Sequence, residues 1–235
     1  MKKILYILIG VLMPFWAISC SDEDNQNVMP SATGTMTDKD GNEYHWVRIG
    51  KLDWMTENLH CDTPFYDDRE NPRFTNSLGN SWLYFANGDL TYQKQCYENF
   101  GNYYSWQEAV DNAPEGWRLP TDEDYKSLER SLGMKNSDVD KEGWRNGVAD
   151  LLTQRDEGTM LNFRYGGQIC NYDFSFISLY REYDYGYYWT ATDTTEHNEP
   201  AAWARVITPG RNAVKRTLVL QQQHCLSVRY VRDAK

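Results

Sequence analysis

The chain has few of the residue patterns that mark metal or covalent chemistry. It holds 5 cysteines and 4 histidines in 235 residues, and none of them has C-x-x-C or H-x-x-x-H spacing. Those spacings are typical of zinc, redox and helical metal sites. No G-x-S-x-G sequence is present either, which argues against a hydrolase serine elbow. We therefore expect no enzyme activity, no bound metal and no cofactor.

Basic residues are also outnumbered. The chain has 24 Lys and Arg against 34 Asp and Glu, for a formal net charge of -10. A surface this acidic is not expected to bind nucleic acid through its phosphates. Carboxylates are so common that no pair of them indicates acid–base catalysis without geometry. His224 and Cys225 have the right chemistry for a base and a nucleophile, but neighbours in a strand point to opposite faces.

Long apolar runs are absent after the first nineteen residues. Lys2 and Lys3 precede an apolar run over residues 4–16, and residues 17–20 read AISC. The run is short for a bilayer span and is typical of a secretory signal peptide over residues 1–19, with a retained membrane anchor as the alternative. Its end resembles a bacterial lipobox, which implies that Cys20 is lipidated and becomes the mature N-terminus.

An acidic segment follows Cys20. Residues 21–27 read SDEDNQN and contain no apolar side chain, so residues 20–33 are predicted to form a flexible tether. The segment also resembles the export signal of Bacteroidetes-type lipoproteins, although an ordinary solvated linker would look the same. The expected location is the outer membrane, with a lipid anchor and the protein facing the cell exterior. The lipid anchor is then the expected membrane contact.

The remaining residues, 34–235, are predicted to form one domain rich in strands. Asp40-Gly41 is a strong hairpin signal between two strand-like segments. The acidic residues beside it could instead form a calcium loop, but they lack the spacing of an EF-hand. Further strands are predicted over residues 202–207, 213–220 and 226–232.

Two capping boxes predict short helices. Ser105 and Glu108 begin one helix that ends near Asn112, and Thr121 with Asp124 begins another that ends at Gly133. One or two more helical turns are predicted between residues 144 and 152. Residues 60–100 have no clear periodicity and read as a long irregular region, which is uncommon unless it has a function.

These features occur in blocks that together resemble the Fibrobacter succinogenes major paralogous domain. The blocks are TDKDGN at residues 37–42, WMTENL at 54–59, YYSW at 103–106, PEGWRLPT at 114–121, YWTAT at 188–192 and SVRYVRD at 227–233. The resemblance implies an α+β, C-type-lectin-like fold in which two main helices pack on twisted antiparallel sheets. It also implies a disulfide in relatives at the positions of Ala113 and Tyr230, and these two residues are therefore expected to lie close together.

The resemblance favours a binding protein whose ligand is a glycan or a protein. Calcium-dependent sugar binding is not supported, because the lectin motifs that hold the ion are missing. Ring stacking on a ligand remains open for Tyr185, Tyr187, Trp189 and Trp203, with packing in the core as the alternative for each ring. Formylglycine-generating oxidases share the broad fold, but the pair of nearby C-terminal cysteines they need is absent. A structural or assembly subunit of a surface complex is the other candidate, with residues 60–100 as its partner surface.

Overall fold

Strands dominate the fold, and helices are few and short. The computed structural model describes residues 28–62, 82–83, 95, 97–171, 176–180 and 184–235. Cys20, the acidic segment and most of residues 63–96 lie outside the described residues. The strands are β1 (Thr33–Thr37), β2 (Glu43–Ile49), β3 (Leu52–Met55), β4 (Trp82–Leu83), β5 (Gly143–Asn146), β6 (Gln168–Asn171), β7 (Phe176–Tyr180), β8 (Gly186–Glu196), β9 (Glu199–Ile207), β10 (Ala213–Leu220), β11 (His224–Cys225) and β12 (Val231–Asp233). The helices are α1 (Trp106–Asp111), α2 (Asp122–Ser131) and α3 (Ala149–Leu152).

The described strands form three four-stranded sheets. Their orders are β1-β2-β3-β12, β5-β10-β9-β8 and β11-β6-β7-β4. Every pair is antiparallel except β4 with β7. The predicted α+β class is confirmed at this level, as a mostly antiparallel β-structure with few helices. Among the described helices, none has the length and apolarity needed to cross a membrane.

The hairpin predicted at Asp40-Gly41 is present. Gly41 has φ of 86°, in the left-handed region that a tight turn requires. The Asp38 carboxylate accepts hydrogen bonds from the Asp40 amide at 2.9 Å, the Asn42 amide at 3.0 Å and the Tyr44 hydroxyl at 2.6 Å. These donors close the turn around Asp38, which supports the turn interpretation over a calcium loop.

Both capping boxes are confirmed. In α1, Ser105 and Glu108 exchange side-chain and backbone hydrogen bonds, and in α2 Thr121 and Asp124 do the same. These contacts satisfy amide groups that the first helical turn leaves unpaired. The stop at Gly133 is also as predicted, with φ of 99°.

Helix α2 is fastened to the sheet by a buried ionic network. Asp122 pairs with Arg205 and with Arg216, each at 2.8 Å. Glu129 pairs with Arg205 at 2.7 Å and with Arg145 at 2.6 Å. Burial alone would raise the pKa of Asp122, but the hydrogen bonds and charges of Arg216 and Arg205 hold it well below its usual range. The helix therefore depends on charge pairing as well as on apolar packing.

The helical turns predicted between residues 144 and 152 are only partly correct. Residues 149–152 form α3, but Gly143–Asn146 is strand β5, paired with β10. Gly143 and Gly147 have φ of 84° and 116°, and these left-handed residues bracket the segment and prevent a continuous helix. Trp144 therefore belongs to a sheet.

The buried apolar side chains form two core clusters. The first cluster includes Trp54, Tyr125, Phe163 and Tyr188, and the second includes Trp46, Tyr104, Trp117 and Trp189. Leu226, Val228 and Tyr230 all lie in the second cluster, whereas Val231 lies in the first. Of the strand predicted over residues 226–232, only Val231 and Arg232 lie in a regular strand, β12, whereas Leu226 and Ser227 pair through isolated bridges.

The region around Tyr230 agrees with its expected proximity to Ala113. The Tyr230 hydroxyl donates to the carbonyl oxygen of Ala109 in α1 at 3.0 Å. Ala113, just beyond α1, packs against the same second cluster that contains Tyr230. The disulfide in relatives stays a prediction. Val28, which lies within the predicted 20–33 tether, packs on the first cluster.

Candidate functional site

An open cleft of about 700 Å³ lies where three separate segments meet. One wall is the β1–β2 hairpin with the chain that follows β3, the second is residues 98–101, and the third is the loop over residues 155–164. Its volume is within the range of small-ligand sites. The cleft is therefore the candidate binding site among the described residues.

The sheet wall presents a fixed carboxylate. Thr35 pairs with His45 in the hairpin register, and both residues line the cleft. The Glu57 carboxylate accepts a hydrogen bond from the His45 amide at 2.8 Å and from the Thr56 hydroxyl at 3.0 Å. Its other oxygen lies 2.9 Å from Nδ1 of His45. These contacts hold Glu57 at the rim, where it can accept hydrogen bonds from a ligand.

The second wall is tied to the sheet through backbone oxygens. The Asn58 amide group donates to the carbonyl of Phe100 at 2.7 Å, and the Tyr97 hydroxyl donates to the carbonyl of His60 at 2.9 Å. The His60 ring packs 4.7 Å from the Tyr44 ring, and burial lowers the pKa of His60. His60 is therefore neutral near pH 7 and lines the cleft without a charge.

The third wall contains strained backbone. Met160 and Asn162 have φ of 55° and 54°, in the left-handed region that non-glycine residues seldom adopt. Each such residue costs of the order of 1–3 kcal/mol and persists only when its surroundings impose it. Both residues line the cleft, and Leu161 between them is fully buried. Strain of this kind is concentrated at functional sites, which favours the cleft as one.

A buried arginine imposes this geometry. Arg229 is 1% exposed, and its Nε donates to Oδ1 of Asn58 at 2.8 Å. Its Nη atoms donate to the carbonyls of Met55 at 3.3 Å, Asn162 at 2.6 Å and Leu161. Burial lowers the pKa of Arg229, and none of the described carboxylates forms an ion pair with it. The guanidinium instead binds carbonyl groups from two walls, and Asn58 extends the connection to the third.

The aromatic residues predicted to bind a ligand do not form one surface. Trp189 is fully buried in the second cluster, and its indole donates to the carbonyl of Tyr104 at 2.8 Å. The ring therefore lies in the core, which is the alternative that the sequence analysis gave for it. Tyr187 lies on the same side of β8 and packs on the second cluster, with its ring 5.9 Å from Tyr185.

Trp203 lies on the opposite face of this sheet. Strand register pairs Trp189 with Ala204, so Trp203 points the other way, and the guanidinium of Arg216 lies 3.4 Å from its ring centre. The structure thus brings Tyr185 and Tyr187 together and separates Trp203 from them. None of the four lines the cleft.

The residues that build the cleft were not among the predicted site residues. Glu57, Asn58 and Arg229 stand inside the WMTENL and SVRYVRD blocks, where polar residues lie close to large apolar ones. That contrast was the available signal, since a buried polar residue needs partners. Asn162 gave only a weak signal, because asparagine adopts the left-handed region more often than most residues but is common in other conformations too.

One group of potential metal ligands lies outside the cleft. One ligand atom from each of Asp40, Cys61 and Asp62 falls within 4.8 Å of the others. However, Lys39 Nζ already lies 2.5 Å from the Asp62 carboxylate. Burial also raises the pKa of the Cys61 thiol to about 12, so the thiol is protonated at neutral pH. We assign no metal to this group.

Comparison with known proteins identifies the family. The family model for the Fibrobacter succinogenes major domain matches residues 47–232, from strand β2 into strand β12. No curated protein and no solved structure matches the chain. The match spans well over half of the 235 residues and includes every segment that forms the cleft except β1 and the start of β2. The chain therefore belongs to the Fibrobacter succinogenes major domain family.

Proposed function

We propose that this protein is a lipid-anchored binding module displayed on the outer surface of the outer membrane. In this proposal residues 1–19 are a signal peptide, Cys20 carries the lipid, and the tether holds a single domain of C-type-lectin-like fold. The acidic, apolar-poor stretch after Cys20 supports the tether, because such a segment cannot bury itself. No catalysis is part of the proposal.

The binding role rests on the cleft and on Arg229 and Asn58, which connect its walls; we call it the braced cleft. Two strained residues, Met160 and Asn162, face a cavity of ligand size. The Arg229 guanidinium donates a hydrogen bond to the carbonyl of Asn162. This arginine is buried, and no carboxylate among the described residues forms an ion pair with it. Burying a guanidinium costs several kcal/mol, which the bonds to carbonyl groups must offset. A rigid, preformed cleft reduces the entropy lost on binding a ligand.

The test is a binding screen with the full-length protein in detergent micelles. A broad glycan array and a peptide library displayed on phage serve as the probes, and hits are measured by calorimetry. We expect at least one hit whose affinity falls at least tenfold in Glu57→Gln, because the neutral amide loses the charge-assisted hydrogen bonds of the carboxylate. Glu199→Gln, an exposed site at the β8–β9 turn, is the matched control and should bind like the wild type.

Two results would contradict the proposal. Absence of any hit in both screens would argue against a binding module. Co-purification with other outer-membrane lipoproteins, unaffected by Glu57→Gln, would instead favour the structural or assembly role.

A further inference from the structure

Strand β1 is an edge strand with backbone groups that point away from its sheet. The Arg48 amide donates to the carbonyl of Ala32 at 2.8 Å, and the Asp38 amide donates to the carbonyl of Asn42 at 3.0 Å. In an antiparallel pair, hydrogen-bonded residues alternate with residues whose amide and carbonyl point outward. Even-numbered residues of β1 therefore bond to β2, and the outward-pointing residues are Thr33, Thr35 and Thr37.

One of these outward groups is already used within the chain. The indole of Trp46 donates to the carbonyl of Thr35 at 3.0 Å. Trp46 reaches this position because Gly34, opposite it in the register, has no side chain, and a Cβ there would overlap the indole ring. Within the part of the chain that the structure describes, no hydrogen bond joins the amide of Thr35 or the backbone groups of Thr33.

The same edge forms the rim of the cleft. Residues 33–35 line it, and Thr33 and Thr35 share a sheet face with His45, whose amide and ring hold Glu57. An edge strand beside a groove suits recognition by strand addition, in which backbone hydrogen bonds supply affinity and the groove receives alternate side chains. A saccharide has no such repeat of donors and acceptors, whereas an extended peptide matches it residue by residue.

We propose that the cleft binds an extended peptide, which adds to β1 as a further strand. Its amide and carbonyl groups bond to the amide of Thr35 and to the amide and carbonyl of Thr33, while the Trp46 indole keeps the Thr35 carbonyl. Every second side chain of the peptide enters the cleft towards the Glu57 carboxylate, which selects side chains that donate hydrogen bonds. This inference rests on the proposed function, since it takes the cleft as the binding site and names the ligand class.

The test uses Thr35→Pro in the full-length protein, with peptides selected from the phage library as probes. Proline removes only the outward amide of Thr35, which takes no part in the ladder to β2, and edge strands tolerate proline in that orientation. We expect Thr35→Pro to weaken peptide binding at least tenfold. Thr35→Val keeps the amide and changes only the side chain, so it should bind within about threefold of the wild type.

Amide hydrogen exchange gives a second readout that does not depend on a variant. A saturating selected peptide should slow exchange of the Thr33 and Thr35 amides in the wild-type protein.

If selected peptides bind but leave both amides unprotected and tolerate Thr35→Pro, strand addition is wrong while the binding function stands. Glycans that bind the cleft when no peptide does would likewise overturn only this inference. A dimer that Thr35→Pro abolishes, again without peptide binding, would assign the edge to a second copy of the chain. No binding of either probe class would overturn the proposed function as well.

Discussion

Arg229 and Asn58 are joined by a buried hydrogen bond of 2.8 Å, although 171 residues separate them in the chain. Asn58 in turn donates to the carbonyl of Phe100 at 2.7 Å. This pair connects the end of the chain, the segment after β3 and the 98–101 wall at one point. The cleft owes its shape to this connection, so its integrity can be tested through Arg229.

Arg229→Lys is expected to destabilise the fold by about 2–4 kcal/mol, because lysine keeps the charge but cannot reach all the carbonyl partners of the guanidinium. Each buried acceptor left without a donor costs about 1–3 kcal/mol. Chemical denaturation monitored by tryptophan fluorescence measures the loss.

Arg155→Lys is the control for this substitution. The Arg155 side chain is 63% exposed, and exposed arginine-to-lysine changes seldom matter for stability. Equal stabilities of the two variants would show that Arg229 does not brace the domain.

Acid should destabilise the domain through Asp122. Its pKa is lowered in the folded protein, so its contribution to stability is complete above the pKa of an unfolded aspartate and is lost as the pH falls through the folded pKa. We expect the free energy of unfolding to fall below about pH 4. Urea denaturation at a series of pH values measures this profile.

Asp122→Asn should be less stable than the wild type by about 3–5 kcal/mol at pH 7, because Arg216 would remain buried without a carboxylate and Arg205 would keep only Glu129. Its stability should also vary less with pH in the acid range. In contrast, Asp156→Asn, at a side chain that is 91% exposed, should keep the wild-type profile. A wild-type slope in Asp122→Asn would contradict the role of the ionic network.

Gly186 at the start of β8 has no room for a side chain. A Cβ at this position would overlap the backbone carbonyl oxygen of Arg164, which cannot move without shifting the strained loop. Gly186→Ala is therefore expected to cost about 3 kcal/mol in thermal or chemical unfolding.

The matched control is Gly210→Ala. Gly210 has φ of 71° and no atom within 4 Å of an added Cβ, so alanine there meets only backbone strain of about 1–2 kcal/mol. Should Gly210→Ala prove the more damaging of the two, the close approach of β8 to the loop would be wrong.

Local features of the fold could be predicted from the sequence, and distant ones could not. Helices α1 and α2 each follow from a capping box whose two residues are close together in the sequence. Strand β10 has the predicted bounds, Ala213–Leu220. Strand β5 was missed because its apolar residues are too few to distinguish a strand from a helix.

The cleft could not be predicted from local sequence patterns. It joins residues 33–35, 98–101 and 155–164, which only the tertiary fold brings together. Ligand stacking was predicted for aromatic residues in and near β8 instead. Large rings are more often packed in the core than exposed, as Trp189 shows. The polar residues inside the family blocks were the better guide to the site.

Lipidation at Cys20 is tested by Cys20→Ser. The variant cannot form the thioether, so it should leave the membrane fraction and fail to incorporate labelled fatty acid. Cys61→Ser keeps Cys20 and should remain in the membrane fraction. Membrane retention and labelling of Cys20→Ser equal to those of the wild type would contradict the proposed anchor.

The most direct test of the central claim is to map ligand contacts by amide chemical shifts. The full-length protein, isotope-labelled in micelles, is titrated with the strongest hit from the glycan and peptide screens. If the braced cleft is the binding site, the largest shift changes fall on residues 33–35, 57–58, 99–101 and 160–164. Shift changes confined to Tyr185, Tyr187 and Trp203, with the cleft unaffected, would contradict it.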